Sequence, residues 1–165
     1  MRLSTRMRYG TRAMVDLASQ YPRGPMSSAE LARNQGLSPK YLEALLGRLR
    51  ASGLVIATRG PSGGYQLARP PMDISVRDLY DVLEGGGYVA CTDDATVCER
   101  AATCVTRELW SSMYDASMAV LEAVSLGDLV TRQGMQQDPV DAKASLRCSR
   151  GDCTEADEAA MLRNA

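Results

Sequence analysis

Two short helices separated by a glycine turn lead directly into a glycine-rich hairpin in the first half of this chain. Gly36 lies at the turn, and Ser38 can cap the second helix with Pro39 at its first helical position. Leucines form the inward stripe of this helix, which ends near Ser52 ahead of Gly53. A short helix, a tight turn and a second capped helix in this order predict a helix-turn-helix.

A hairpin follows the second helix at once. The β-branched run 54–58 and the segment 65–68 are typical of short strands, and the turn between them reads RGPSGG. Gly63 and Gly64 permit a positive φ and let the backbone approach a phosphate closely. A hairpin in this position is a wing, although the same turn could be only a tight hairpin tip. It is not a nucleotide-binding loop of the usual spacing, because no Gly-Lys-Ser/Thr follows.

Amphipathic segments flank this unit on both sides. A helix ending near Tyr21 precedes it, and Ser75 with Asp78 resembles the capping box of a helix that ends at the glycines 85–87. The stretch from about 106 to 124 carries a wide apolar stripe, which suits contact with both its own domain and a partner subunit. Burial of this helix wholly within its own fold is the alternative.

The predicted fold class is therefore mainly α with a small β-hairpin wing, a winged helix-turn-helix followed by a long dimerisation helix. We expect a DNA-binding domain in residues 1–84, a cysteine loop with the dimerisation helix in 85–131, and a polar tail in 132–165. Winged helices usually read two half-sites of an operator, which favours a homodimer.

Charge is distributed unevenly along the chain. Residues 1–70 carry eleven basic and three acidic side chains, a net charge of +8, whereas residues 71–165 carry eight basic and seventeen acidic ones, a net charge of −9. A basic half of this kind indicates a surface that binds phosphate groups, and the alternative is a solvated basic face without a partner. The sequence contains no run of about eighteen apolar residues that could form a membrane span, and its N-terminus does not resemble a signal peptide. We therefore expect a cytoplasmic protein.

Three cysteines occur together in one polar loop, at Cys91, Cys98 and Cys104. Thiolates at this spacing can bind zinc, copper(I) or an iron–sulfur cluster. The alternatives are a thiol switch without metal and cysteines without a shared function. The chain contains no histidine, so neither an imidazole ligand nor a Cys–His catalytic pair is available, and we predict that it is not an enzyme. Cys148 and Cys153 lie in the predicted tail and are interpreted as non-ligands, with redox pairing as the alternative.

Four segments carry a resemblance to a known family. The opening MRLSTRMRYGTRAMVDLA, the helix SPKYLEALLGRLRASGLV, the wing RGPSGGYQLA and the loop that runs into CVTRELW resemble bacterial winged-helix regulators of the IscR, NsrR and CymR type. The resemblance covers about residues 1–130. It implies a homodimeric transcription factor with the long helix at the dimer interface. We expect this factor to act as a repressor. Members of the CymR type are instead controlled by a partner enzyme of cysteine synthesis.

The residues that we expect to contact double-stranded operator DNA lie in the helix-turn-helix and in the wing. In the second helix Glu43 can accept a hydrogen bond from cytosine, and family members use this glutamate to discriminate between operators. In the wing Arg59 is expected to reach the minor groove. The full predicted set is Ser28, Ser38, Pro39, Lys40, Tyr41, Glu43, Arg48, Arg59, Gly60, Pro61, Ser62, Gly63, Gly64 and Tyr65.

The resemblance also implies an iron–sulfur cluster on Cys91, Cys98 and Cys104, with zinc as a less favoured metal. In IscR-like members a histidine three positions after the last cysteine completes the cluster, and this chain has Arg107 there. NsrR-like members use an aspartate near the N-terminus, where this chain offers arginines. The remaining candidates for a fourth ligand are Asp93, Asp94, Glu99, Glu108, a tail thiol, a small exogenous ligand, or none. Three thiolates without histidine favour a 4Fe–4S over a 2Fe–2S cluster.

Overall fold

The computed structural model describes residues 3–60, 62–85 and 89–137. Residues up to Leu129 form one compact unit, and the chain from Val130 belongs to a second, of which 130–137 are described. The elements in chain order are α1 (Thr5–Gln20), α2 (Ser28–Gln35), α3 (Pro39–Ala51), β1 (Val55–Thr58), β2 (Gly64–Leu67), α4 (Val76–Leu83), α5 (Ala90–Asp93), α6 (Val105–Glu122) and α7 (Leu126–Gln137). Short 3₁₀ turns occupy Pro71–Asp73 and Ala95–Val97.

Serine caps set the starts of the helices in the DNA-binding half. The hydroxyl groups of Ser27 and Ser38 accept hydrogen bonds from the backbone N–H groups three residues later. Ser75 and Asp78 form a complete reciprocal capping box at α4. Gly36 ends α2 in the left-handed conformation with φ 64°, where glycine avoids the strain of a Cβ atom. The helix starts predicted at Ser38 and Ser75 and the glycine turn are confirmed, and Ser27 is the cap of α2.

The core joins the helix-turn-helix to α1 and α4. The inward leucines of α3 are buried as the sequence predicted, and they meet apolar side chains from the neighbouring helices. Gly10 of α1 packs closely against α4, and a Cβ atom there would overlap the Leu83 side chain unless that side chain shifted. The largest fully buried side chains are Met14, Leu31, Leu42, Leu45, Leu46, Leu49, Ile74, Leu79, Leu83 and Leu126.

The wing is an antiparallel hairpin in which Val55 pairs with Leu67 and Thr58 with Gly64. A third segment adds to it, because Met26 and Tyr65 exchange backbone hydrogen bonds of 2.9 and 2.8 Å. Gly64 has φ 157° and approaches the carbonyl of Met26 so closely that a side chain could not fit. The wing is therefore fixed to the segment that enters α2.

The helix α7 was not predicted. Its start is set by Ser125 and Asp128, which exchange hydrogen bonds of 2.8 and 3.1 Å between side chain and backbone in the manner of a capping box. The residues 132–137 of the predicted polar tail are helical, and the rest of that tail lies outside the described residues. The division into parts at 84 and 131 remains a prediction.

Candidate nucleic-acid interface and cysteine loop

The solvent side of α3 carries the side chains that were predicted to read DNA. Ser38, Pro39 and Lys40 are exposed at its first turn, where the N-terminal backbone amides and the helix dipole favour phosphate. Glu43 and Arg48 are exposed further along the same helix. The inward leucines of α3 are buried and α3 packs against α1, so this packing orients the exposed surface.

Glu43 is restrained from the neighbouring helix. The Ser28 hydroxyl donates a hydrogen bond of 3.4 Å to its carboxylate, which links the start of α2 to the middle of α3. This bond is long, so it orients the carboxylate weakly. An exposed carboxylate on a surface that meets phosphates is repelled unless it accepts a hydrogen bond from a base. Ser28 and Glu43 are therefore neighbours on the predicted DNA surface.

An aromatic pair that sequence reasoning missed lies between α1 and α3. The rings of Tyr9 and Tyr41 meet edge to face with centroids 6.3 Å apart. The guanidinium carbons of Arg8 and Arg12 lie 5.2 and 5.9 Å from the Tyr9 ring centroid. The Tyr41 hydroxyl is buried and has no hydrogen-bond partner among the described residues. Tyr41 thus packs α3 onto α1, and its predicted DNA contact cannot use the hydroxyl in this arrangement.

The wing projects its polar turn into solvent. Arg59, Gly60 and Ser62 are exposed, whereas Gly63, Gly64 and Tyr65 are half-buried where the hairpin meets the segment before α2. Pro61 lies outside the described residues. Position 63 requires glycine for steric reasons, because a Cβ atom would collide with the backbone carbonyl of Thr58. The turn therefore presents the long cationic side chain of Arg59 on a tightly folded backbone.

Within the described part of the chain, no carboxylate forms an ion pair with Lys40, Arg48 or Arg59. The ion pairs found among the described residues, Arg69 with Asp78 at 3.2 Å and Arg77 with Asp81 at 3.1 Å, both involve α4. Lys40, Arg48 and Arg59 take part in neither. Unpaired surface cations are available to phosphates, and their contribution to binding decreases as salt is added.

The three cysteines of the loop occupy three local structures. Cys91 lies in α5, Cys98 follows the 3₁₀ turn, and Cys104 is the residue that precedes α6. All three are free thiols of intermediate exposure. The Nε atom of Arg107 donates a hydrogen bond of 2.7 Å to the carbonyl oxygen of Cys91 and so connects α6 to the start of the loop.

The environment of Cys104 favours the thiolate form of its side chain. The Thr106 hydroxyl, with its oxygen 3.2 Å from the sulfur, is the main cause of a pKa below the ordinary value for a cysteine. The backbone N–H groups of Arg107 and Thr106 lower this pKa further, and the charge of Arg100 adds to them. A thiolate is the form that binds metals and reacts with oxidants.

The donor chemistry of the loop fits a soft metal centre, whereas its geometry does not yet form one. Three thiols supply the ligands that iron–sulfur clusters and zinc prefer. Across the described residues, however, no three cysteine or carboxylate side chains are gathered closely enough to hold a metal ion. Binding of a metal or cluster by these three thiols would require the loop to close, and would then couple ligand binding to local ordering.

An apolar face of α6 is exposed to solvent. Val105, Leu109, Met113 and Val120 are between 45% and 86% exposed and follow one another at near-helical spacing, with Trp110 beside them at 36%. Met118 is the buried side chain of this helix, and on the inner side Tyr114 lies with its ring centroid 6.4 Å from that of Tyr80. A contiguous apolar stripe of this kind marks an interaction surface. No described helix is both long and apolar enough to cross a membrane.

Comparison with known proteins places these features in one family. The family model described as Rrf2, iron-dependent transcriptional regulator, matches residues 3–132. The protein rrf2 of Nitratidesulfovibrio vulgaris is 40% identical over 131 residues, which cover 79% of this chain and 87% of that protein. The transcriptional regulator IscR of Photobacterium profundum is 36% identical over 156 residues, 92% of this chain and 91% of that protein.

A solved structure agrees with the fold. CymR, the global cysteine regulator of B. subtilis, superposes with a TM-score of 0.67 at 38% identity, over 80% of this chain and 98% of that one. The predicted fold class and the predicted kinship with IscR- and CymR-type regulators are confirmed by these relatives, which are regulators and not enzymes. The chain belongs to the Rrf2 family of transcriptional regulators.

Proposed function

We propose that this chain is a homodimeric, DNA-binding repressor that senses iron–sulfur or redox status through a cluster held by Cys91, Cys98 and Cys104. The observation that carries the proposal is the position of Cys104. This residue immediately precedes α6, so the third thiol of the loop is continuous with the helix that exposes an apolar face. A protein that reads an operator acts where the bacterial chromosome lies, in the cytoplasm.

DNA is read by α3 and by the wing. The N-terminal half of α3 enters the major groove, where Ser38, Lys40 and Glu43 reach base edges and phosphates. Arg59 of the wing enters the adjacent minor groove, whose negative potential favours a guanidinium. The other contacts of this proposal come from Ser28, Pro39, Tyr41, Arg48, Gly60, Pro61, Ser62, Gly63, Gly64 and Tyr65.

Dimerisation uses the exposed face of α6. Pairing of two copies along Leu109, Met113 and Val120 removes apolar side chains from water, which is favourable by about 25 cal/mol for each Å² buried. A two-fold pair of winged helices also matches the two half-sites of an operator. The domain boundaries at 84 and 131 are part of this proposal, with α6 as the centre of the dimerisation part.

The cluster controls DNA binding by ordering the loop. When bound, an iron–sulfur cluster supplies a redox-active and oxygen-sensitive centre, with the 4Fe–4S form favoured over 2Fe–2S because the chain has no histidine. The loop lies between α4 and α6 in the chain, and both helices are packed against each other. Loss of the cluster therefore changes the populations of DNA-competent arrangements rather than unfolding the protein.

A second candidate is a cluster-free regulator that responds to thiol oxidation or to a partner protein. It is favoured by the open arrangement of the three thiols and by the lowered pKa of Cys104, which makes that thiol reactive. The likeness to a global cysteine regulator points the same way. In this case Cys91, Cys98 and Cys104 hold no iron.

Anaerobic purification separates the two candidates. The protein is isolated without oxygen and assayed for iron, acid-labile sulfide and visible absorbance, and the operator affinity is measured before and after cluster removal. We expect a brown protein with iron and sulfide in comparable amounts and a changed affinity on removal. A colourless protein that does not take up iron and sulfide on reconstitution contradicts the first candidate and leaves the second.

A further inference from the structure

The side chain of Arg107 closes the cysteine loop. Its Nε atom donates a hydrogen bond of 2.7 Å to the main-chain carbonyl of Cys91, across a separation of sixteen residues in sequence. A single side chain thus connects α5 to the first turn of α6. Because the donor is charged and the side chain is half-buried, this hydrogen bond is stronger than one between neutral groups at the surface.

The backbone of Arg107 is also bonded to the other end of the loop. Its N–H group donates to the carbonyl oxygen of Cys104 at 3.1 Å. The same N–H group contributes to the lowered pKa of the Cys104 thiol. One residue therefore contacts the first and the third cysteine of the loop at the same time.

We propose that Arg107 is a positioning residue that holds Cys91 near Cys104 in the metal-free protein and so prepares the loop to bind a thiolate-preferring metal. The metal-loading part rests on the proposed function, whereas the effect on the metal-free loop does not. Restricting the loop before the metal arrives reduces the entropy that is lost when the thiolates converge. A guanidinium has no free lone pair at any accessible pH, so Arg107 acts on the ligands and is not one of them.

Arg100 is the matched control for the charge of Arg107. It lies in the same loop, is exposed, and also lowers the pKa of Cys104 through its charge. The hydrogen bonds found in the described part of the chain include none from its guanidinium to Cys91. Replacing Arg100 by alanine therefore removes a cation from the loop and leaves the connection between α5 and α6 in place.

Amide hydrogen exchange on the reduced, metal-free full-length chain tests the positioning itself. We expect Arg107→Ala to increase exchange across residues 90–98 by about tenfold, because the free energy of local opening falls when one charge-assisted hydrogen bond is lost. Arg107→Lys, which keeps a charged donor, restores part of the protection, and Arg100→Ala leaves it unchanged. Equal exchange in the wild type and in Arg107→Ala overturns the proposal, as does an equal increase in Arg100→Ala. Unchanged helical circular dichroism shows that each variant is folded.

Titration with Co²⁺ tests the effect on metal binding without iron–sulfur assembly. Thiolate ligation gives an absorption band that reports the convergence of the cysteines. We expect Arg107→Ala to weaken Co²⁺ binding about tenfold relative to the wild type, with Arg107→Lys between them and Arg100→Ala near the wild type. Equal affinities in the wild type and in Arg107→Ala overturn the role in loading. A wild-type protein without a thiolate band contradicts the proposed metal function. In that case the hydrogen-exchange measurement still tests whether Arg107 positions the metal-free loop.

Discussion

Ser75 and Ser125 face each other in an antiparallel backbone bridge, and each is the first residue of a capping box. The bridge consists of two hydrogen bonds, from Val76 to Val124 at 2.8 Å and from Leu126 to Ile74 at 2.9 Å. It joins the start of α4 to the chain that leaves α6. Arg69, just after the wing, is paired with Asp78 of the same capping box. The end of α6 is thus connected through α4 to the base of the wing by a route that does not pass through the cysteine loop.

Ser125→Ala is expected to destabilise this junction. The substitution removes the side-chain acceptor for the Asp128 N–H group and the hydroxyl that contacts the Asp128 carboxylate at 2.7 Å. Loss of a serine cap costs about 1 kcal/mol of the free energy of unfolding, measured by urea denaturation. Ser112→Ala, in the exposed middle of α6, is the matched control and should be neutral or slightly stabilising because alanine favours the helix interior. Equal stability of the two variants contradicts the role of the cap.

The junction also shows where the sequence was and was not informative. Ser38, Gly36 and Ser75 act through bonds to residues within five positions, so their roles could be predicted from local chemistry. The capping box at Ser125 has the same local pattern, but the weakly apolar segment after it gave no periodic signal, so α7 was missed. The pairs Tyr9–Tyr41 and Arg107–Cys91 join residues far apart in sequence. No local pattern reports such pairs, because they exist only after the chain has folded.

Glu43→Ala is expected to relax the preference for operator sequence more than it weakens binding. The change removes an acceptor for cytosine N4 and also a negative charge that repels phosphate, and these effects oppose each other in the affinity. The measurement is the binding of the variant to a panel of operators with single base-pair changes. Glu30→Ala, an exposed carboxylate at the start of α2, controls for the charge. A panel profile identical to that of the wild type rules out base reading by Glu43.

Arg59→Ala is expected to weaken operator binding by about 1–3 kcal/mol, the usual range for one specific arginine contact. Arg59 is exposed on the wing and belongs to neither ion pair of the described residues, so the loss reflects DNA contact and not a broken internal bond. Arg50→Ala removes an equal charge from the exposed surface of α3 at a position outside the predicted contacts. Fluorescence anisotropy at several salt concentrations compares the two. Equal losses would mean that the general basic field, and not the wing, accounts for the effect.

Leu109→Glu is expected to convert the proposed dimer into monomers at micromolar concentration. Leu109 is 53% exposed on the apolar face of α6, so the charge is tolerated by the folded monomer and is buried only if a partner covers this face. Sedimentation velocity measures the molecular mass, and circular dichroism verifies the fold. Ala29→Glu, exposed on α2 and outside the proposed interface, introduces the same charge as a control. A Leu109→Glu protein that remains dimeric places the interface elsewhere.

Single alanine substitutions at Cys91, Cys98 and Cys104 are expected to abolish the visible absorbance of the anaerobically isolated protein and to change its operator affinity. Each removes one of three thiolates, and the chain has no histidine to replace it. Cys148→Ala and Cys153→Ala, which fall outside the described residues, are the matched controls and should retain both properties. A triple variant of the loop that still assembles a full cluster refutes the ligand assignment. A triple variant without a cluster that binds every operator as the loaded protein does refutes control of DNA binding by the cluster.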